Sequence, residues 1–208
     1  ALLTSPHPTL NFAPEPINGP RLQSLLEGPE GDGLRGALRG AEDALATVRL
    51  PLLVGHPLEG DDDWREVAPF LRGLRRLVGR KPRLRVLVTH FIPRSHTSFQ
   101  RAAQRHPESL APRLRALRKN VSQEGASFSA ADGEIAYIEG ALARGDRRLG
   151  RVIAAAWEMG SSLDTWRENF NLSLWRDAFA SAGLSPDHFT RERAAEEMLP
   201  WGHIGLGP

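Results

Sequence analysis

Two short segments gather the side chains able to do chemistry. Gly55-His56-Pro57-Leu58-Glu59 puts a glycine, an imidazole and a carboxylate within five residues, and His90-Phe91-Ile92-Pro93-Arg94-Ser95-His96-Thr97 combines two imidazoles six positions apart with one guanidinium. In the first, the glycine lets a flat ligand approach the backbone, and the carboxylate can accept from ribose hydroxyls or an exocyclic amine. The same residues also suit a plain turn with an incidental acid. The donors of the second suit an anion or a metal, but they lack the HExxH spacing and any Cys partner of a metal site. Ser95 and Ser98 sit in no GxSxG elbow, and no Walker A lysine occurs. Nucleophilic and P-loop chemistry therefore have no support, and neither a catalytic residue nor a metal ligand is assigned.

These segments need elements to present them, and the sequence supplies alternating strands and helices. Residues 9 to 13 (TLNFA) read as a short strand ending before Pro14, so that Glu15 stands at its C-terminal end. Asn18-Gly19-Pro20 opens a helix from Arg21, interrupted by Gly28 to Gly33 and resumed at Leu34. Residues 47 to 54 form a nearly continuous apolar run, the pattern of a parallel strand covered on both faces. Asp61-Asp62-Asp63 offers a helix N-cap, and Trp64, Val67, Leu71, Leu74 and Val78 keep helical spacing up to Gly79. Residues 83 to 92 form a third strand. This grammar predicts a parallel α/β sheet with crossover helices.

Beyond Gln100 helices dominate, with residues 126 to 130 as one short extended piece. Leu149, Val152, Ile153, Ala156, Trp157 and Gly160 form one helical stripe, and Trp166, Phe170, Leu174, Trp175 and Phe179 an aromatic one; both read as core. The predicted organisation is a sheet domain over residues 1–100 and a mainly helical extension over 101–208.

The chain has 208 residues, 40% of them hydrophobic, enough to bury a core. It contains no cysteine, which excludes disulfides, thiolate zinc sites, cysteine-ligated iron–sulfur clusters and a cysteine nucleophile within it. The first residues lack the basic region and long apolar run of a signal peptide, and no apolar stretch approaches a membrane span, so a cytoplasmic protein with no membrane partner is expected. The net charge of +2 conceals an asymmetry: residues 1–63 carry 4 basic and 10 acidic side chains, residues 64–119 carry 15 and 2, and residues 120–208 carry 8 and 13. The basic middle segment can face a polyanion or pair with acids of its own chain.

Four stretches taken together carry a family likeness: NFAPE (11–15), PLLVGHPLE (51–59), FIPRSHTSFQ (91–100) and EGALARGDRRLG (139–150), with PWGHI (200–204) closing the series. Taken in order, they resemble the C-terminal half of a radical SAM protein, of the family that joins a cobalamin-binding domain to a radical SAM barrel. The resemblance implies the last three strands of a partial (β/α)6 barrel, at residues 9–13, 47–54 and 84–92, followed by the helical extension. It implies S-adenosylmethionine as cofactor, with Gly55 and Glu59 near the nucleoside and Glu15 near the ribose or methionine end. Pro93, His96 and Gln100 would stand on the substrate side.

The chain departs from the family at His56, Leu58 and Gly202, and it lacks the CxxxCxxC triad. Without three thiolates it cannot hold the iron–sulfur cluster that delivers an electron to S-adenosylmethionine. Cluster and cobalamin would come only from a missing N-terminal half or a partner chain carrying the cluster motif, and the chain alone is not expected to be an active enzyme. The alternative expectation is a non-catalytic module that binds RNA or another polyanion through the Arg-rich segment 64–119, provided that Arg72, Arg75, Arg76, Arg80, Arg83, Arg113 and Arg118 converge on one face.

Overall fold

A computed structural model describes residues 8–14, 17–39 and 44–205. The chain divides into two compact units, residues 1–90 with 110–131, and residues 91–109 with 132–208. The expected single cut at residue 100 differs from this division. The extended piece expected at 126–130 is a true strand of the first sheet, and it draws most of the preceding helix into the first unit.

The first unit is an α/β layer built on four parallel strands, β1 (Thr9–Asn11), β2 (Thr47–Val54), β3 (Arg83–His90) and β4 (Ser127–Ala130), adjacent in chain order. Between them run α1 (Gly19–Glu27), α2 (Asp32–Arg39), α3 (Val67–Val78) and α4 (Pro107–Gln123). Local chemistry sets these ends. The Asn18 side chain accepts from the Arg21 amide at 3.1 Å and caps α1. Gly28 to Gly31 breaks the helix into a 3-10 turn, and Gly79, at φ +71°, ends α3. The aspartate run does not cap a helix directly: Asp63 accepts from the Gly60 amide at 2.9 Å and opens a short 3-10 turn before α3.

Burial along β2 and β3 alternates. Val48, Leu50, Leu52 and Val54, with Leu84, Val86 and Val88, share one core with Leu22 of α1, Leu38 of α2, Phe70 and Leu74 of α3, and Leu117 and Val121 of α4. The helices of the first unit thus lie against one face. The opposite face carries Arg49, Arg83, Arg85 and Thr89, all exposed, and Pro51, Leu53 and Leu87, half-buried. The expectation of a strand covered on both faces is therefore corrected. Leu53 and Leu87 fill the gaps in the alternation and make the run look continuous, although neither faces the helical core.

Pro51 limits the sheet on the β1 side. Phe12 donates its amide to the Arg49 carbonyl at 2.9 Å, and the next β2 residue facing the same neighbour is Pro51, which has no N–H to give. The β1 ladder accordingly stops at Asn11, short of the expected residue 13.

The second unit is helical: α5 (Gly133–Ala143), α6 (Leu149–Glu158), α7 (Leu172–Ser181) and α8 (Pro186–Thr190). Its core holds Tyr137, Ile138, Val152, Trp175, Phe179 and Phe189. The two stripes read as core are core only in part. Ile153, Trp157 and Trp166 are 51%, 73% and 61% exposed. A ten-residue α6 buries Leu149, Val152 and Ala156, and its hydrophobic arc is wider than that contact. Among the described residues no helix is long and apolar enough to cross a membrane.

Candidate functional site

The C-terminal end of β2 turns at Gly55, whose φ of +78° is a conformation that glycine adopts without strain. That bend aims the Gly55 amide back across the loop, where it donates to the carboxylate of Glu59. The Glu59 amide in turn donates to the His56 carbonyl at 2.9 Å, and the Leu58 amide to His56 Nδ1 at 3.1 Å. Burial lowers the His56 pKa, which keeps the imidazole in the neutral form that can accept from Leu58. The Glu59 side chain is only 1% exposed, and its second oxygen faces Arg113 of α4 at 3.5 Å. Arg113 also pairs with Asp61.

The sequence-predicted pair Gly55 and Glu59 is thus brought together by a direct hydrogen bond. The arrangement makes Glu59 a buried anchor for the loop backbone, with one oxygen on an amide and the other on a guanidinium. A ligand meets the outer side of this turn, where Pro57 and Leu58 are exposed, before it meets the carboxylate. Arg113 and Asp61 complete the cluster; the sequence pointed to a polyanion face for Arg113 and a helix cap for Asp61, and not to this grouping, because Arg113 lies 54 residues from Glu59 with no periodic relation to it. Glu15 lies outside the described residues.

Pro93, His96 and Gln100 belong to the second unit. Pro93 is buried, and His96 takes a φ of +59°. Gln100 Oε1 accepts from the His96 amide at 3.2 Å and from Trp201 Nε1 at 2.7 Å, so one amide oxygen closes the turn and fastens the end of the chain to it. Arg94 pairs with Glu139 at 2.6 Å. Deeper in this unit Arg144 is fully buried and donates to the carbonyls of Ala102 at 2.7 Å, Arg191 at 3.0 Å and Thr190 at 3.3 Å. Burial, reinforced by the charges of Arg193 and Arg191, pushes the Arg144 pKa down to about 10. Arg193 donates to the Arg144 carbonyl at 2.6 Å and lies over the Trp201 ring at 5.2 Å. The segments FIPRSHTSFQ, EGALARGDRRLG and PWGHI are therefore tied into one clamp by Gln100, Arg144 and Arg193.

Four of the seven arginines named in the Arg-rich segment have partners within the first unit. Arg72 pairs with Glu124 and Arg113 with Glu59 and Asp61; Arg75 donates to the Pro82 carbonyl at 2.7 Å; Arg118 lies over the Phe128 ring at 5.2 Å. Of these, Arg72 and Arg113 are ion-paired to acids of the same unit, while Arg75 and Arg118 meet a carbonyl and an aromatic ring.

The donors present do not fit an iron–sulfur cluster: the chain has no thiolate, and among the described residues no group of three or more His, Asp and Glu could hold a metal ion. No family model, no curated protein and no solved structure matches the chain.

Proposed function

We propose that the chain is the C-terminal part of a radical SAM-type enzyme, supplying part of the adenosyl pocket and of the substrate wall. One observation supports this best: the four strands follow chain order in a parallel sheet whose helices, among the described residues of the first unit, lie on one face, while Arg49, Arg83, Arg85 and Thr89 are exposed on the other. Parallel sheets are ordinarily covered on both faces, and a singly wound sheet finds its second cover by curling on itself with further strands. In this reading the Gly55–Glu59 turn serves through its backbone. Glu59 is a positioning residue that fixes the Gly55 bend, so that a flat ring would pack on the outer side of the turn at Pro57 and Leu58, and S-adenosylmethionine would take its cluster and electron from another chain or segment. Anaerobic co-expression with a CxxxCxxC-bearing barrel half tests this. A co-purifying complex with cluster absorbance is expected, and two halves that never associate would overturn the reading.

A second reading, a non-catalytic module that contacts RNA or another polyanion, is favoured by a different observation. Exposed arginines of β2 and β3 share the uncovered sheet face. The segment 64–119 as a whole is not the contact in this reading, since Arg72, Arg75, Arg113 and Arg118 are engaged elsewhere.

A further inference from the structure

The register of the sheet places four polar residues in one row across the uncovered face. Asn11 lies beside Arg49, Arg49 beside Arg85, and Arg85 beside Ser127, and all four are exposed. Adjacent strands stand about 4.8 Å apart, so the two guanidinium-bearing residues are immediate neighbours and the row spans roughly 14 Å. The next row on the same face, two residues earlier, holds Thr9, Thr47 and Arg83. No acidic residue occupies this face of the four strands. Among the described residues no ion pair reaches Arg49, Arg83 or Arg85, in contrast to Arg72 and Arg113. Like charges side by side in a sheet are unfavourable unless a counter-charge bridges them.

We propose that this face binds the phosphate backbone of a single-stranded nucleic acid, with Arg49 and Arg85 as its principal contacts and Asn11, Ser127 and Arg83 as flanking donors. The chemistry selects this ligand. Guanidinium forks match phosphate oxygens, and a neutral amide and hydroxyl at the ends of the row extend the donor line without adding an acceptor-only group. An open sheet face does not enclose a small molecule as a cleft does, whereas an extended polyanion can lie along it. No aromatic side chain stands on this face of the strands, so base stacking is absent and binding is electrostatic and tolerant of sequence.

The proposal rests on the second reading for its ligand class and competes with barrel completion, which would enclose this face. Its test uses the full chain and a fluorescein-labelled oligouridylate 20-mer, followed by anisotropy across a salt series. The variant is Arg49→Gln/Arg85→Gln, with Arg72→Gln as control, and thermal melting confirms that each variant folds. Each phosphate contact to a single strand contributes a slope of about 0.7 in log affinity against log salt. Loss of two contacts should flatten the slope by about 1.4 and weaken binding about 25-fold at 0.1 M salt, while the control binds like wild type. Unchanged binding and slope in the double variant would overturn the assignment of this face and leave the polyanion reading standing with another surface. A wild-type chain with no salt-dependent binding would overturn both.

Discussion

Removal of the Glu59 carboxylate is the sharpest probe of the loop at the end of β2. In Glu59→Ala the Gly55 amide loses a charged acceptor inside a buried turn, a hydrogen bond worth about 1.5–3 kcal/mol. Arg113 loses one of two carboxylates but keeps Asp61, so that loss adds at most about 1 kcal/mol. The expected cost is therefore about 2–4 kcal/mol. Glu59→Gln, which keeps an acceptor oxygen for Gly55 and forfeits the charge, should cost about half as much. Urea unfolding followed by circular dichroism measures both. A double-mutant cycle with Arg113→Gln should return a coupling of about 0.5–1 kcal/mol, the range of a partly exposed pair. Hydrogen exchange adds a local readout, since the Gly55 amide should exchange faster in Glu59→Ala while the central amides of β3 do not change. If Glu59→Ala shifted stability by less than about 0.5 kcal/mol and left the Gly55 amide protected, the carboxylate would not be what closes the loop.

Other consequences are open to direct measurement. Burial lowers the His56 pKa, so the unfolded chain binds the proton more readily; the stability due to neutral His56 is complete above the unfolded value near 6.5 and is lost as pH falls below it. A His56→Gln variant should flatten that acid slope in urea midpoints taken from pH 7 to 5. Tyr137 has its pKa raised, chiefly by burial and then by its hydrogen bond to Asp187, so its contribution is complete below the unfolded value near 10 and declines as pH rises beyond it. Tyr137→Phe should remove that alkaline slope in denaturation midpoints and cost about 1 kcal/mol at neutral pH. Arg144→Lys replaces a planar fork on three carbonyls by a single ammonium and should lower the thermal midpoint through a loss of about 2 kcal/mol or more, despite keeping the charge. Trp157→Ser should leave thermal stability within about 0.5 kcal/mol of wild type while reducing the iodide-quenchable tryptophan emission.

Much of the sheet was legible because parallel strands write themselves as compact apolar runs between glycine and proline. β2 and β3 begin where the apolar pattern starts, and the break in the first helix falls on Gly28 to Gly31. What the pattern concealed was which face is covered. Leu53 and Leu87 make a one-sided strand look two-sided, because hydropathy along the chain does not tell core from uncovered face. β4 is four residues, SFSA, and only pairing with β3 makes it a strand. The exposed Ile153 and Trp157 fail for the complementary reason: helical spacing fixes that residues share a stripe, and the width of the neighbour decides how much of the stripe is buried. Of the candidate site, the Gly55 to Glu59 turn was legible as local chemistry. Its closure by Arg113, and the fastening of Gln100 to Trp201 across 101 positions, are long-range contacts with no local signature.

Pro51 has a consequence for how this sheet can err. Frayed molecules in which β1 has come loose expose the edge of β2, the kind of surface on which chains pair with strangers and fibres start. On this edge a visiting strand loses a donor at Pro51, and β1 itself pairs through only three residues, Thr9 to Asn11. A contact that short does not hold an intermolecular strand against the entropy of ordering it, whereas the tethered β1 returns at high local concentration. The missing amide therefore acts as a proofreading device: it makes the edge readable by the chain's own first strand and unprofitable to any other.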